Sequence, residues 1–184
     1  METAETEARW HGTRVRLLAG DITQVSVDAV VNAANSALAG GGGVDGAIHR
    51  AAGPVVMAEL NERYDGCPAG SAVITGGGNL PARHIVHAVG PIWRGGGHHE
   101  AALLRGAYSA SLDRVAEAGD RSVAFAAISC GVYGYPLDQA ATESIAAVRE
   151  WLSTHPGSGV EDIIWVLRGP DVMAAFRRAL AQSG

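Results

Sequence analysis

Between Val27 and Gly53 the chain reads VDAVVNAANSALAGGGGVDGAIHRAAG, and four side chains in that stretch carry chemistry: Asn32, Asn35, Asp45 and His49. Four consecutive glycines, Gly40–Gly43, stand between the amides and the acid. Glycines running into a helix start expose backbone N–H groups at the positive end of the helix dipole. The backbone of Gly42, Gly43 and Val44 therefore reads as an anion site suited to a pyrophosphate. Asp45 is favourable in a first helical turn for the helix's own sake. Beside a bound pyrophosphate it also meets like charge, which favours proton uptake and suits it to activating or orienting a water. His49 lies four residues on and shares the helix face of Asp45. It steadies the acid, touches a phosphate, or is structural. Asn35 offers donor and acceptor to ribose hydroxyls, while Asn32, earlier in the stretch, is a second ribose ligand or a structural amide. Asp21, following Gly20 at an earlier strand end, accepts from an adenine amino group or caps a turn.

Several chemistries are disfavoured. Gly41, Gly43 and Gly46 form a literal G-x-G-x-x-G, but the dinucleotide version turns directly after its strand. Here a long loop intervenes and Asp45 sits inside the motif, against a nicotinamide-dependent oxidoreductase. G-x-x-x-x-G-K-[ST] is absent, which excludes a P-loop NTPase, and no G-x-S-x-G elbow occurs. His84 and His87 fall on a predicted strand, three apart and so on opposite faces. The two cysteines, Cys67 and Cys130, make neither a disulfide framework nor a four-ligand zinc site. No metal and no cofactor is expected.

The elements that position these residues alternate. Strands are predicted over Arg14–Ala19, Asp28–Ala33, Ser71–Thr75, His84–Val89, Ser122–Ile128 and Asp162–Leu167. Helices are predicted over Val44–Ala52, Val55–Tyr64, Ala101–Ala118, Leu137–Thr154 and Pro170–Ala181. The pattern implies an α/β fold, with helices on both faces of a mixed, largely parallel sheet. Ligands then sit at the strands' carboxyl ends, where the loops after Ala19, Ala33 and Ile128 converge. The last of these, Ser129–Gly134, is punctuated by glycine. Residues 1–184 are expected to form one domain, with residues 1–12 a flexible acidic tail. No signal peptide or bilayer-spanning run is apparent, so a cytoplasmic protein with no membrane partner is expected. A net charge of -5 argues against non-specific nucleic-acid binding.

GDIT over Gly20–Thr23, VDAVVNAANS over Val27–Ser36, GGGGVDGAIHRAAG over Gly40–Gly53 and GVYGYP over Gly131–Pro136 together resemble the macrodomain family. CPAGSAVITGGGNLPARHIVHAVGP over Cys67–Pro91 matches it in style, and the likeness runs from about Val15 to Leu180. It is nearest to the MacroD-type branch. The resemblance implies a three-layer α/β/α sandwich that binds ADP-ribose. It implies that Asp21 and the backbone at Ile22 recognise adenine, and that Asn35 and Asp45 handle the distal ribose and the hydrolytic water with support from His49. It further implies that the glycine loop and Ser129, Cys130, Gly131, Val132 and Tyr133 wrap the pyrophosphate from two sides, with Tyr133 beside the distal ribose. The branch removes mono-ADP-ribose from acidic side chains and deacetylates O-acetyl-ADP-ribose, and some members act on ADP-ribosylated nucleic-acid ends.

Two positions depart from the family pattern. Arg168 stands where an aromatic often stacks on adenine, and a guanidinium also stacks on a π face. Cys130 replaces a small, often hydroxylated residue; anionic surroundings disfavour a thiolate, so it reads as a packing residue. The leading expectation is a monomeric hydrolase of ADP-ribosyl esters whose partners are ADP-ribose and ADP-ribosylated proteins. The attack is at either the anomeric or the acyl carbon. The competing expectation is a non-catalytic ADP-ribose reader, which needs the glycine loop and Asp21 but neither Asn35 nor Asp45.

Overall fold

The computed structural model describes residues 6–184. Seven strands form a single sheet: β1 (Glu7–Trp10), β2 (Thr13–Ala19), β3 (Ala29–Ala33), β4 (Ser71–Gly76), β5 (His84–Val89), β6 (Ser122–Phe125) and β7 (Asp162–Leu167). Five helices complete it: α1 (Gly43–Ala52), α2 (Pro54–Arg63), α3 (Glu100–Glu117), α4 (Leu137–Thr154) and α5 (Pro170–Gln182). The strand order is β1-β2-β7-β6-β3-β5-β4. The five interior strands are parallel, and only the edge strands β1 and β4 run antiparallel to their neighbours.

Strand periodicity divides the core into two layers. Val31, Phe125, Ile163 and Trp165 face the helices α3, α4 and α5, where they meet Tyr108, Leu112, Val148 and Phe176. Their neighbours Val30, Ala124, Ile164 and Val166 face the other way, onto Ile48, Val56 and Leu60 of α1 and α2. A strand buried on both faces has no polar side, which is why these runs are continuously apolar. Each fully buried side chain of this size stabilises by about 1.5–3 kcal/mol. Proline opens both α2 and α5, at positions whose N–H a helix does not use.

Two expectations are corrected. The tail expected over residues 1–12 contains strand β1, hairpinned onto β2 through His11 and Gly12, both at positive φ. That is the backbone of a tight primed turn, written without the usual Asn-Gly. Trp10 is buried beneath it, with the Arg149 guanidinium 5.6 Å from its ring centroid. The part of the tail over residues 1–5 lies outside the described residues. Second, the strand expected to run to Ile128 stops at Phe125. Ala126 still donates to Val31 O, and the chain then bends away, with Cys130 N–H donating to Ala127 O. That bend turns a strand end into a wall of the cleft.

Candidate active site

Because the five interior strands are parallel, the loops after β2, β7, β6, β3 and β5 all emerge along one edge of the sheet. Between the loops after β3 and β6 lies a cavity of about 290 Å³. One wall is Asn35, Gly41, Gly42, Gly43, Val44 and Asp45; the other is Ala127, Ser129, Gly131, Val132 and Tyr133, with Gly90 from β5 at the side. The first N–H groups of α1 have no partner within the helix, and the residues that carry them, Gly43, Val44 and Asp45, line the cavity.

Asp45 is 6% exposed, low for a carboxylate, and its two oxygens have different surroundings. Oδ1 accepts from Asn32 Nδ2 at 2.6 Å and lies 3.4 Å from His49 Nε2, one helical turn on. Oδ2 lies toward the cavity wall, 3.5 Å from where a Cβ on Gly41 would stand. One oxygen is anchored, and the other is left for a ligand or a water.

Of the two readings of Asn32, the ribose ligand is corrected and the structural amide stands. It is fully buried on β3, and its role is to hold Asp45. Beneath it lies a second, deeper layer. His87 stands opposite Asn32 in the β3–β5 register, fully buried, with its ring stacked 5.9 Å from that of His49. The Thr75 hydroxyl lies 3.0 Å from Gly76 O and 2.9 Å from His87 Nε2, a bond that ties their two strands beneath Asn32. Burial, with the neighbouring His49 adding to it, pulls the His87 pKa down to about 3. The imidazole is thus a neutral prop under the acid–histidine pair. Asn32 Oδ1, His49 Nδ1 and His87 Nδ1 are all buried without a hydrogen-bond partner among the described residues.

Asn35 lines the cavity and also closes the glycine loop on itself. Its Nδ2 donates to Gly40 O at 2.8 Å, and its Oδ1 accepts from Ala39 N at 3.1 Å. The loop is then clamped onto α1: a Cβ on Gly46 would lie 2.4 Å from Gly41 O, so only glycine permits that approach. The facing loop is clamped in the same way. Ser129 holds a positive φ of 66° and donates its hydroxyl to Pro91 O at 2.8 Å. A Cβ on Gly90 would lie 2.2 Å from that hydroxyl.

Cys130 does not line the cavity as expected but packs on the core beside α3. Burial pushes its thiol up to about 12, so it is a protonated packing residue and no nucleophile at neutral pH. Asp21, Ile22 and Arg168 lie outside the cavity, at the ends of β2 and β7 on the same edge. Asp21 is exposed. Its Oδ1 accepts from the Thr23 hydroxyl and the Thr23 N–H, which hold its carboxyl below the ordinary range, with a smaller pull from Arg168. Ile22 is buried, and Arg168 is exposed. His84 pairs with Asp120 on the opposite face from His87. No cluster of three metal-binding side chains occurs among the described residues. Sequence reasoning missed Gly90, Ala33, Ala34 and Ala127 as lining residues. They contribute shape alone, and only Gly90-Pro91 at a strand end carried a signal.

The class these features define is a three-layer α/β sandwich with a glycine-lined cavity at its strand ends, edged by a carboxylate and an amide. Residues 31–143 match the family described as Macro domain, and the chain belongs to that family. It is 48% identical over 175 residues to an O-acetyl-ADP-ribose deacetylase of Citrobacter koseri, covering 94% of this chain and 98% of that protein. A protein of the same name from Escherichia coli is 47% identical over the same shares. The structure is similar to that of an Oceanobacillus iheyensis macrodomain with ADP (TM-score 0.90, 34% identity), covering 100% of this chain and 98% of that one. It is also similar to a Trypanosoma brucei macrodomain in complex with ADP-ribose (TM-score 0.83, 36% identity), covering 90% of this chain and 68% of that one.

Proposed function

We propose that this protein is a hydrolase of ADP-ribosyl esters, removing the acetyl group of O-acetyl-ADP-ribose and mono-ADP-ribose from acidic side chains, as in the MacroD-type branch. The observation that carries this is the asymmetric setting of Asp45, one oxygen fixed by Asn32 and the other turned to the cavity. A reader has no use for a carboxylate held this way beside an anion site, where it repels the ligand. The names of the relatives at 47% and 48% identity support the deacetylase activity.

In this reading the pyrophosphate rests on the backbone amides of Gly42, Gly43 and Val44, and adenine lies toward Asp21, Ile22 and Arg168. Asn35 and Tyr133 flank the distal ribose. Asp45 Oδ2 takes a proton from a water as that water attacks the ester. For O-acetyl-ADP-ribose, attack at the acyl carbon breaks the acyl–oxygen bond; acetate leaves and the ribose oxygen takes up a proton. His49 Nε2, 3.4 Å from Oδ1 and so on the other side of the carboxylate, helps hold its rotamer. The test is release of ADP-ribose from O-acetyl-ADP-ribose and from a glutamate-modified protein by wild type and Asp45→Ala. Binding of ADP-ribose without turnover by wild type would leave a reader. Equal turnover by both would remove Asp45 from the mechanism. Hydrolysis in 18O-water assigns the attacked carbon, by label in the released carboxylate or in the ADP-ribose.

A further inference from the structure

Next to the cavity, and sharing Gly90 and Tyr133 with it, is a groove of about 250 Å³ formed by the loop after β5 and the start of α3. Its walls include Ile92, Leu103, Arg94 and His98. We propose that this groove binds the peptide on either side of an ADP-ribosylated glutamate or aspartate, and that it favours peptides with further acidic residues. The proposal rests on the hydrolase reading above, in which ADP-ribose occupies the cavity.

Direction comes from the sheet. Along the cleft edge the strands run β2, β7, β6, β3, β5. An ADP-ribose with adenine over β2 and β7 and its pyrophosphate between the β6 and β3 loops has its far ribose at β3. Whatever that ribose carries then points over β5, where the groove lies. Exposure agrees with a use for this rim. Three large hydrophobic side chains are exposed among the described residues; Val132 lines the cavity and Ile92 lines the groove.

Charge favours an acidic occupant. The Arg94 side chain is exposed and has no ion-pair partner among the described residues, and His98 is exposed beside it. The groove also contains a carboxylate, Glu100, but it is 1% exposed and committed to the loop. It accepts from the backbone N–H groups of Arg94 at 3.0 Å, Gly96 at 2.8 Å and His98 at 2.5 Å. Glu100 thus folds the loop that presents the two basic side chains. A nucleic acid fits less well: one guanidinium and a histidine neutralise few phosphates, the chain's net charge is -5, and the walls include the apolar Ile92 and Leu103. Those walls suit the methylenes and backbone of a peptide.

The test measures affinities by calorimetry at low salt for wild type, Arg94→Gln and Arg94→Gln/His98→Gln. The ligands are ADP-ribose, two peptides joined to ADP-ribose through a hydrolysis-resistant amide, one with acidic and one with neutral flanks, and an ADP-ribosylated oligonucleotide. Wild type is expected to bind the acidic peptide about two- to fivefold tighter than the neutral one, as one exposed guanidinium–carboxylate pair allows. The double variant is expected to erase that difference while its affinity for ADP-ribose stays within twofold. Equal affinity for both peptides, a preference that survives the double variant, or stronger preference for the oligonucleotide would overturn the proposal. Failure of wild type to bind ADP-ribose would sink the hydrolase reading itself, and the proposal with it.

Discussion

Gly46→Ala separates the stability of the fold from the precision of the site. Gly46 lies within α1, so alanine improves helix propensity by about 1 kcal/mol. Its Cβ, however, would stand 2.4 Å from Gly41 O and 3.4 Å from Gly41 C, a collision with backbone that no rotamer relieves. The third close atom, Arg50 Nη1 at 3.0 Å, is the end of a flexible side chain and moves cheaply. To reach ordinary contact the Gly41 carbonyl must retreat by about 1 Å. Overpacking of this kind costs about 1–3 kcal/mol, so the net loss of stability is about 0–2 kcal/mol. Activity is affected far more, because Gly41 separates Asn35 from Asp45, and a shift of about 1 Å at such a point lowers rate about 100-fold. The assay is kcat/KM on O-acetyl-ADP-ribose alongside urea unfolding of the same preparation. A variant with wild-type stability and activity within threefold of wild type would refute the claim that the packing of this loop on α1 sets the geometry of the site.

Other outcomes are expected on the same grounds. Asn32→Ala removes the donor to Asp45 Oδ1, a bond to a charged group worth about 1.5–3 kcal/mol; kcat should fall at least tenfold with KM little changed, and an unchanged kcat would leave Asn32 a core amide only. Burial raises both thiols, Cys130 to about 12, so neither should react with iodoacetamide at pH 7.5 until urea unfolds the chain, as read by intact mass. His87 is neutral when folded, with its pKa lowered to about 3 from 6.5. Its contribution is therefore complete above pH 6.5 and declines as pH falls, by roughly 1.4 kcal/mol per unit, as the unfolded chain takes the proton. The urea midpoint should drop between pH 7 and 5, with a shallower slope in His87→Gln. Arg168→Ala should weaken ADP-ribose binding about three- to tenfold if the guanidinium stacks on adenine, and titration calorimetry would expose an idle arginine as no change.

The sequence revealed most where periodicity has one physical meaning. The interior strands and all five helices follow from apolar runs and helical spacing, and the alternation alone dictates which ends converge. Strand β1 escaped because EARW is short, mostly polar and joined by His11-Gly12, a turn whose backbone matches the usual hairpin signal though its first residue does not. That Asp45, Asn35 and the glycine loop share one cavity was legible, because strand ends in such a sheet converge on one edge. Asn32 stayed open between ligand and structural amide: it and Asn35 sit three apart, and only the end of β3 at Ala33 puts one inside the sheet and the other on the loop. His87 was visible as half of a failed metal pair. Its role under His49 depends on the pairing of β3 with β5, a contact between distant segments with no local trace.

The path of α5 has a practical use. Only Arg168 and Gly169 separate it from β7, and Phe176, midway along the helix, packs 5.7 Å from Trp165, within β7. A helix that touches the strand it has just left must double back along it. Thirteen residues at about 1.5 Å each retrace about 20 Å, the length of the strand. The last turn of α5 therefore ends at the rim of the sheet opposite the cleft. A biotin or a sensor-chip tether fixed there would leave both the cavity and the neighbouring groove open to a macromolecule in solution, whereas a tether at Glu7 would stand beside β2, the strand that leads to Asp21.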